Sequence, residues 1–167
     1  MRINTIESKG STLELLVKIE KTHEALMLEE DKQYNFDLFQ NRESDAGYDV
    51  RACIPNPIFL APWGSVKIPT GLKIQLETPD WEIEVRSRSG LAAKHNVFVL
   101  NSPGTIDFEY RDEIHILLSN FSSEGYFIQP NERIAQLCFR PIPRVTIKNV
   151  EKIEQRDRGG FGSSGKT

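Results

Sequence analysis

A chain of 167 residues with 38 % hydrophobic side chains, including nine Phe, two Trp and four Tyr, can build one well-packed domain and is too apolar for a disordered tail. Its 24 acidic and 21 basic side chains leave a formal charge of −3 spread along the sequence, without the basic excess of a nucleic-acid or anionic-membrane binder. The N-terminus, Met1-Arg2-Ile3-Asn4, opens no apolar stretch of signal-peptide or membrane-span length, so a soluble cytoplasmic protein is expected.

Leu13, Leu15, Val17 and Ile19 alternate with Glu14, Lys18 and Glu20, the period-two pattern of a half-buried strand. Residues 22–33 read as a short helix capped by Thr22. Short apolar runs follow at Val66–Ile68, Leu72–Leu76, Ile83–Val85, Val97–Leu100, Ile114–Leu118, Ile134–Phe139 and Val145–Val150, each predicted as a strand. Turn-forming clusters separate them at 55–57, 62–64, 78–80, 101–104 and 129–131. Many short strands at this spacing predict an all-β sandwich or jelly roll. Cys53 and Cys138 fit buried thiols in a reducing compartment, with a single disulfide as the alternative. No internal repeat or linker interrupts the pattern. Residues 1–155 are therefore expected to form one β domain, and the glycine-rich tail 156–167 a flexible arm.

Three segments carry side chains suited to phosphate chemistry. The tail Gly159-Gly160-Phe161-Gly162-Ser163-Ser164-Gly165 offers backbone N–H groups without Cβ obstruction and two hydroxyls, which suits close wrapping of phosphates. Phe161 within it suggests stacking on a planar ligand. A disordered tail is the alternative. Gly160 to Thr167 also spells a P-loop, but that motif must follow a strand and open a helix, and no helix is expected after Thr167. Arg86-Ser87-Arg88-Ser89-Gly90-Leu91 combines guanidinium, hydroxyl and open backbone, against the alternative of a polar turn. In Gly104-Thr105-Ile106-Asp107-Phe108-Glu109-Tyr110-Arg111, an Asp between two apolar residues would sit partly desolvated as a general base, or else simply satisfy a turn.

In their order along the chain, these segments and two others resemble the five motifs of the trimeric dUTP pyrophosphatase (dUTPase) family. Asp45-Ala46-Gly47-Tyr48-Asp49-Val50 is similar to the first, and Arg88-Ser89-Gly90-Leu91-Ala92 to the second. Gly104-Thr105-Ile106-Asp107 with Tyr110-Arg111 is similar to the third, and Arg133-Ile134-Ala135-Gln136-Leu137 to the fourth. Arg156 with Gly159–Gly165 is similar to the fifth, so the resemblance spans roughly residues 13–167.

The resemblance implies a jelly-roll-like homotrimer that hydrolyses dUTP to dUMP and pyrophosphate. That reaction limits uracil incorporation into DNA and supplies dUMP for dTMP synthesis. It further implies that a β-hairpin from Val99 to Asp107, with Asn101, Gly104, Thr105 and Ile106 near the base, reads uracil through main-chain hydrogen bonds. Tyr110 would pack on the deoxyribose and exclude a 2′-hydroxyl, and Asp107 would activate the attacking water. Arg88, Ser89 and Gly90 would hold the phosphates, with Gln136 beside them. Mg²⁺ would ride on the phosphates, meeting Asp49 only through water, while Arg133 pairs with a carboxylate near the site. The tail would close as a lid from a third chain, with Phe161 on the uracil and Arg156, Gly162 and Ser163 on the phosphates. This sequence departs from the family pattern at Asp112 and Asp157, where glycine is usual, and at Ser164, where threonine is usual. Residues 22–40 form a longer insertion than usual before the first motif, with no assigned role. Two alternatives share the fold: a dCTP deaminase, and a nucleotide-responsive regulatory binding protein.

Overall fold

The computed structural model describes residues 15–154, so the expectations placed on Leu13, Arg156, Phe161, Gly162, Ser163 and the rest of the tail lie outside the described residues. Within them, eleven strands and two short helices follow one another: β1 (Val17–Lys21), α1 (His23–Glu29), β2 (Tyr48–Arg51), β3 (Ile58–Leu60), β4 (Ser65–Pro69), β5 (Leu72–Leu76), β6 (Trp81–Ser87), α2 (Ser89–His95), β7 (Val97–Val99), β8 (Gly104–Ile106), β9 (His115–Asn120), β10 (Tyr126–Ile128) and β11 (Arg133–Pro141). The architecture is the expected all-β, jelly-roll-like one. A four-stranded sheet runs β2-β11-β6-β8 and a three-stranded sheet β4-β9-β7, with two-stranded ladders β1-β5 and β10-β3. Every named pairing is antiparallel.

The alternation read from sequence is what packs these sheets. In β9, Ile116, Leu118 and Asn120 point inward and Leu117 outward; in β5, Leu72, Ile74 and Leu76 point inward. With Leu60, Ile68, Ile83, Ile134 and Leu137 the apolar members of these strands form one core, each large side chain contributing about 1.5–3 kcal/mol of transfer free energy. Both cysteines are free and buried, and burial pushes the Cys53 thiol up to about 12. Among the described residues, no helix is long and apolar enough to cross a membrane.

The helix predicted over 22–33 forms as the shorter α1, with Thr22 at its N-cap accepting from the Ala25 amide at 3.3 Å. Ala25, Phe36 and Cys53 make a second small cluster that seats residues 22–40 against the body. Gly71 permits this: its φ is +72°, and a Cβ there would lie 2.6 Å from the Ala25 Cβ. Lys21 Nζ ties the end of α1 and the segment after it to β1, 2.8 Å from both Glu29 and Asp37.

The strand expected at Val145–Val150 does not form. Val145, Ile147 and Val150 are exposed, because alternation marks a face that needs cover and nothing within one chain's described residues covers it. Three short strands, β2, β3 and β10, and the helix α2 were not anticipated from the sequence.

Candidate active site

The outward face of the four-stranded sheet carries the chemistry. Where β11 meets β2, Arg133 stands opposite Arg51, but Ala135 stands opposite Val50 and Gln136 opposite Asp49. The register shift inserts Ile134 as a bulge, which flips the side-chain parity of β11 and turns Arg133 and Gln136 to one face. Asp49 and Arg51, two residues apart on β2, share that face, while Val50, Ile134 and Leu137 are buried in the core. On the other side of β11, Gln136 is level with Arg86 of β6, so Arg86 and Arg88 join the same face.

Asp49 is the hub of this group and is buried. Its Oδ1 accepts from Gln136 Nε2 at 3.0 Å and lies 3.3 Å from Arg88 Nε; its Oδ2 accepts from Arg133 Nη1 at 3.1 Å. Arg88 Nη1 also donates to the Arg133 carbonyl at 2.8 Å, locking the second motif to the fourth. Three guanidiniums, Arg51, Arg88 and Arg133, thus surround one carboxylate and leave an excess of positive charge. Burial, then the Arg133 and Arg88 charges, hold the Arg51 guanidinium below its ordinary value, against the pull of Asp49. Gly47 allows the first motif to lie this close, since a Cβ would come within 3.2 Å of Cys138 Sγ and 3.3 Å of the Gln136 Cβ. The segment 86–91 proves to be a strand end running into α2, with Ser89 and Gly90 exposed in its first turn and open space beside Gly90.

The expected hairpin from Val99 to Asp107 is not a hairpin. β7 pairs with β9 and β8 pairs with β6, so the turn at 100–103, with its cis Ser102–Pro103 bond, carries the chain from one sheet to the other. Gly104 and Ile106 are buried against β6, and Asn101 and Thr105 are exposed. Asp107 is exposed within the chain, not partly desolvated; the apolar neighbours Ile106 and Phe108 turn toward the core and Asp107 away from it. Tyr110 closes the turn after it, its amide donating to the Asp107 carbonyl at 3.1 Å and its hydroxyl to the Glu113 carbonyl at 2.8 Å. Burial, then Asp112 and Glu113, raise the Tyr110 hydroxyl above its ordinary value, so it remains a donor at neutral pH.

The fold therefore brings together Asp49, Arg88, Arg133 and Gln136, and separately Asn101, Gly104, Thr105, Ile106, Asp107 and Tyr110. Ile106 stands opposite Ile83, so Asp107 is level with Glu82, and from residue 82 to residue 88 an extended chain advances about 20 Å. Arg88 moreover leans toward β11 and β2, while β8 lies on the opposite edge of β6. Among the described residues, no hydrogen bond or ion pair links the two groups. Arg51 and Phe39, which pack on the hub, were missed in the sequence, because only the strand register places them there.

A family model described as dUTPase matches residues 35–165. The chain is 44 % identical over 126 residues to a deoxyuridine 5'-triphosphate nucleotidohydrolase of Fusobacterium nucleatum subsp. nucleatum, covering 74 % of this chain and 86 % of that protein. It is 46 % identical over 123 residues to the enzyme of the same name from Anaplasma marginale, covering 72 % and 82 %. Among solved structures, a mutant dUTPase from phage phi11 of S. aureus, described for the coordination of a structural Mg(II) ion, matches with a TM-score of 0.67 at 20 % identity, covering 84 % of this chain and 99 % of that one. A mutant of the Staphylococcus bacteriophage 80alpha dUTPase, solved with dUpNHpp, matches with a TM-score of 0.70 at 25 % identity, covering 90 % and 98 %.

Proposed function

The chain belongs to the dUTPase family, and from that membership we propose that it hydrolyses dUTP to dUMP and pyrophosphate. One observation carries the assignment to this chain's own residues: the Asp49 hub, where Arg88, Arg133 and Arg51 present excess positive charge on one sheet face beside the open backbone of Gly90. Such a cluster suits a polyphosphate, because guanidiniums match phosphate oxygens in charge and fork geometry. Arg88, Ser89 and Gly90 hold the phosphates. Arg133 and Gln136 hold Asp49, so they fix Arg88 indirectly. Asn101, Gly104, Thr105 and Ile106 receive the uracil, and Tyr110, its hydroxyl anchored on Glu113, presents its ring to the deoxyribose. Asp107 accepts a proton from a water aimed in line at the α-phosphorus. The new P–O bond forms there as the bond to the bridging oxygen breaks and pyrophosphate leaves.

The donor set fits Mg²⁺ in an outer-sphere role. Both Asp49 oxygens already face Gln136, Arg133 and Arg88, so Asp49 would meet the ion through water while the substrate's phosphates and further waters hold it. When bound, the ion neutralises charge on the phosphate oxygens.

The two separated groups support a homotrimer with shared sites. Arg88 and Asp107 of one chain lie about 20 Å apart by strand register, farther than the α-to-γ span of a triphosphate. One dUTP therefore takes Asp107 and Tyr110 from one chain and Arg88 from another. The uncovered Val145, Ile147, Val150 and Ile153 supply apolar surface for such an association. In this reading residues 156–167, outside the described residues, would supply Arg156, Gly162 and Ser163 to the phosphates and Phe161 to the base of a neighbouring site. A cytoplasmic location suits a nucleotide-pool enzyme with two buried free thiols.

Phosphate release through a coupled pyrophosphatase, compared across dUTP, dCTP, dTTP and UTP with Mg²⁺, tests the assignment. Release confined to dUTP is expected. Equal release from dCTP or UTP, ammonia release from dCTP, or no release from dUTP would overturn it.

A further inference from the structure

The insertion before the first motif reaches the hub at two points. Its last residues run beside β2, where the Phe39 amide donates to the Asp49 carbonyl at 3.1 Å and the Asp49 amide returns the bond to the Phe39 carbonyl at 2.7 Å. This bridge sets the Phe39 ring over the Arg133 guanidinium at 5.1 Å and the Arg51 guanidinium at 6.0 Å. Earlier in the insertion, Asn35 donates to the Asn131 side-chain oxygen at 3.2 Å, and Asn131 Nδ2 donates to the Gln33 carbonyl at 3.1 Å. The Asn131 carbonyl in turn accepts from Arg51 Nη1 at 2.8 Å. Gln33 and Asn35 therefore brace Asn131, whose carbonyl holds Arg51, and Phe39 covers both arginines.

We propose that Phe39 is a positioning residue for the polyphosphate, its ring holding the Arg133 and Arg51 guanidiniums in place beside Asp49. Three cations share one buried carboxylate, and their mutual repulsion favours swinging at least one guanidinium out into water. Arg88 is tied back to the Arg133 carbonyl and Arg51 to the Asn131 carbonyl, whereas the Arg133 head is held only by Asp49 and the ring among the described residues. The negative face of an aromatic ring attracts both cations without neutralising them. The charge excess is thus kept aligned and available to an anion. Burial first, and then the Arg133 and Arg88 charges, lower the proton affinity of Arg51 beside this ring. A leucine would fill the space but supply no such face.

The proposal rests on the polyphosphate reading of the hub, and inorganic tripolyphosphate tests it apart from turnover. Calorimetry would compare tripolyphosphate affinity of the wild type, Phe39→Leu and Phe39→Tyr, alongside KM and kcat on dUTP. Phe39→Leu is expected to weaken tripolyphosphate about tenfold, the scale of a lost cation–π contact at a partly desolvated site. KM should rise in parallel with kcat within about twofold, and Phe39→Tyr, which restores the ring, should return both to near wild type. Should Phe39→Leu not fold, Phe39→Met takes its place with the same expectation. Equal affinity in all three proteins, equal loss in the Leu and Tyr variants, a fall in kcat alone, failure of both Leu and Met variants to fold, or no wild-type binding of tripolyphosphate would each overturn the role. A wild type that binds tripolyphosphate but leaves dUTP intact would instead sink the proposed function, and the calorimetric comparison would still decide on Phe39.

Discussion

Replacing Asp49 with asparagine keeps the shape of the hub and removes its only carboxylate. Breaking a buried ion pair from one side costs about 3–5 kcal/mol, because the remaining charge stays buried and unpaired. Here the cost is smaller: the Arg88 and Arg133 side chains keep 24 % and 36 % of their surface in water, and the asparagine oxygen still accepts one bond. A loss of about 2–3 kcal/mol follows, and at roughly 2–4 °C per kcal/mol for a chain of this size the melting temperature falls by about 5–10 °C. Differential scanning calorimetry at low ionic strength, at matched protein concentration and with oligomeric state checked by sizing, reads it directly. Tripolyphosphate should recover more of the loss in Asp49→Asn than it adds to the wild type, since it supplies the counter-charge the variant lacks. A variant melting within about 2 °C of the wild type would refute the placing of the net charge at this carboxylate.

Asp107→Asn should lower turnover on dUTP by at least about 10²-fold with affinity near wild type, as expected for loss of a general base; steady-state kinetics with calorimetric binding separates the two effects. Tyr110→Ala should lower the ratio of kcat/KM for dUTP over UTP by about tenfold or more, as steric exclusion of the 2′-hydroxyl is lost; an equal fall on both substrates would make Tyr110 a packing residue only. Gly71→Ala should cost about 2 kcal/mol or more, because the left-handed backbone and the 2.9 Å approach to Cys53 Sγ both oppose a side chain. Thermal unfolding would show it, and an unchanged melt would mean that α1 moves aside freely.

Much of the fold was legible because alternation in β4, β5, β6, β9 and β11 reports which face is buried, and Thr22 announces the start of α1 through its own capping bond. Alternation does not say who does the burying. The run at 145–150 has the same pattern as β9 and finds no partner among the described residues, so the strand expected there is absent. The three-residue β3, β8 and β10 are too short for periodicity to register, and α2 starts at Arg88 without a side-chain cap. Asp49, Arg88, Arg133 and Gln136 were each legible as motif members, but their convergence depends on a single bulge at Ile134 that no local pattern marks. The turn around Gly104 was misread as a hairpin for a related reason: sequence proximity of β7 and β8 does not reveal that they pair into different sheets.

The central claim is that one site draws Arg88 and Asp107 from different chains, and mixed trimers test it most directly. Arg88→Ala keeps Asp107, Asp107→Asn keeps Arg88, and each homotrimer alone should be inactive. In a ring where every site takes Asp107 from one chain and Arg88 from the next, any mixed trimer contains one intact site, whichever variant is in the majority. Equal amounts co-refolded at random give about three quarters mixed trimers, so activity on dUTP should recover to about a quarter of wild type. Recovery to that level is the predicted result. A verified population of mixed trimers as inactive as its parents would place Arg88 and Asp107 of one chain in the same site and contradict the account.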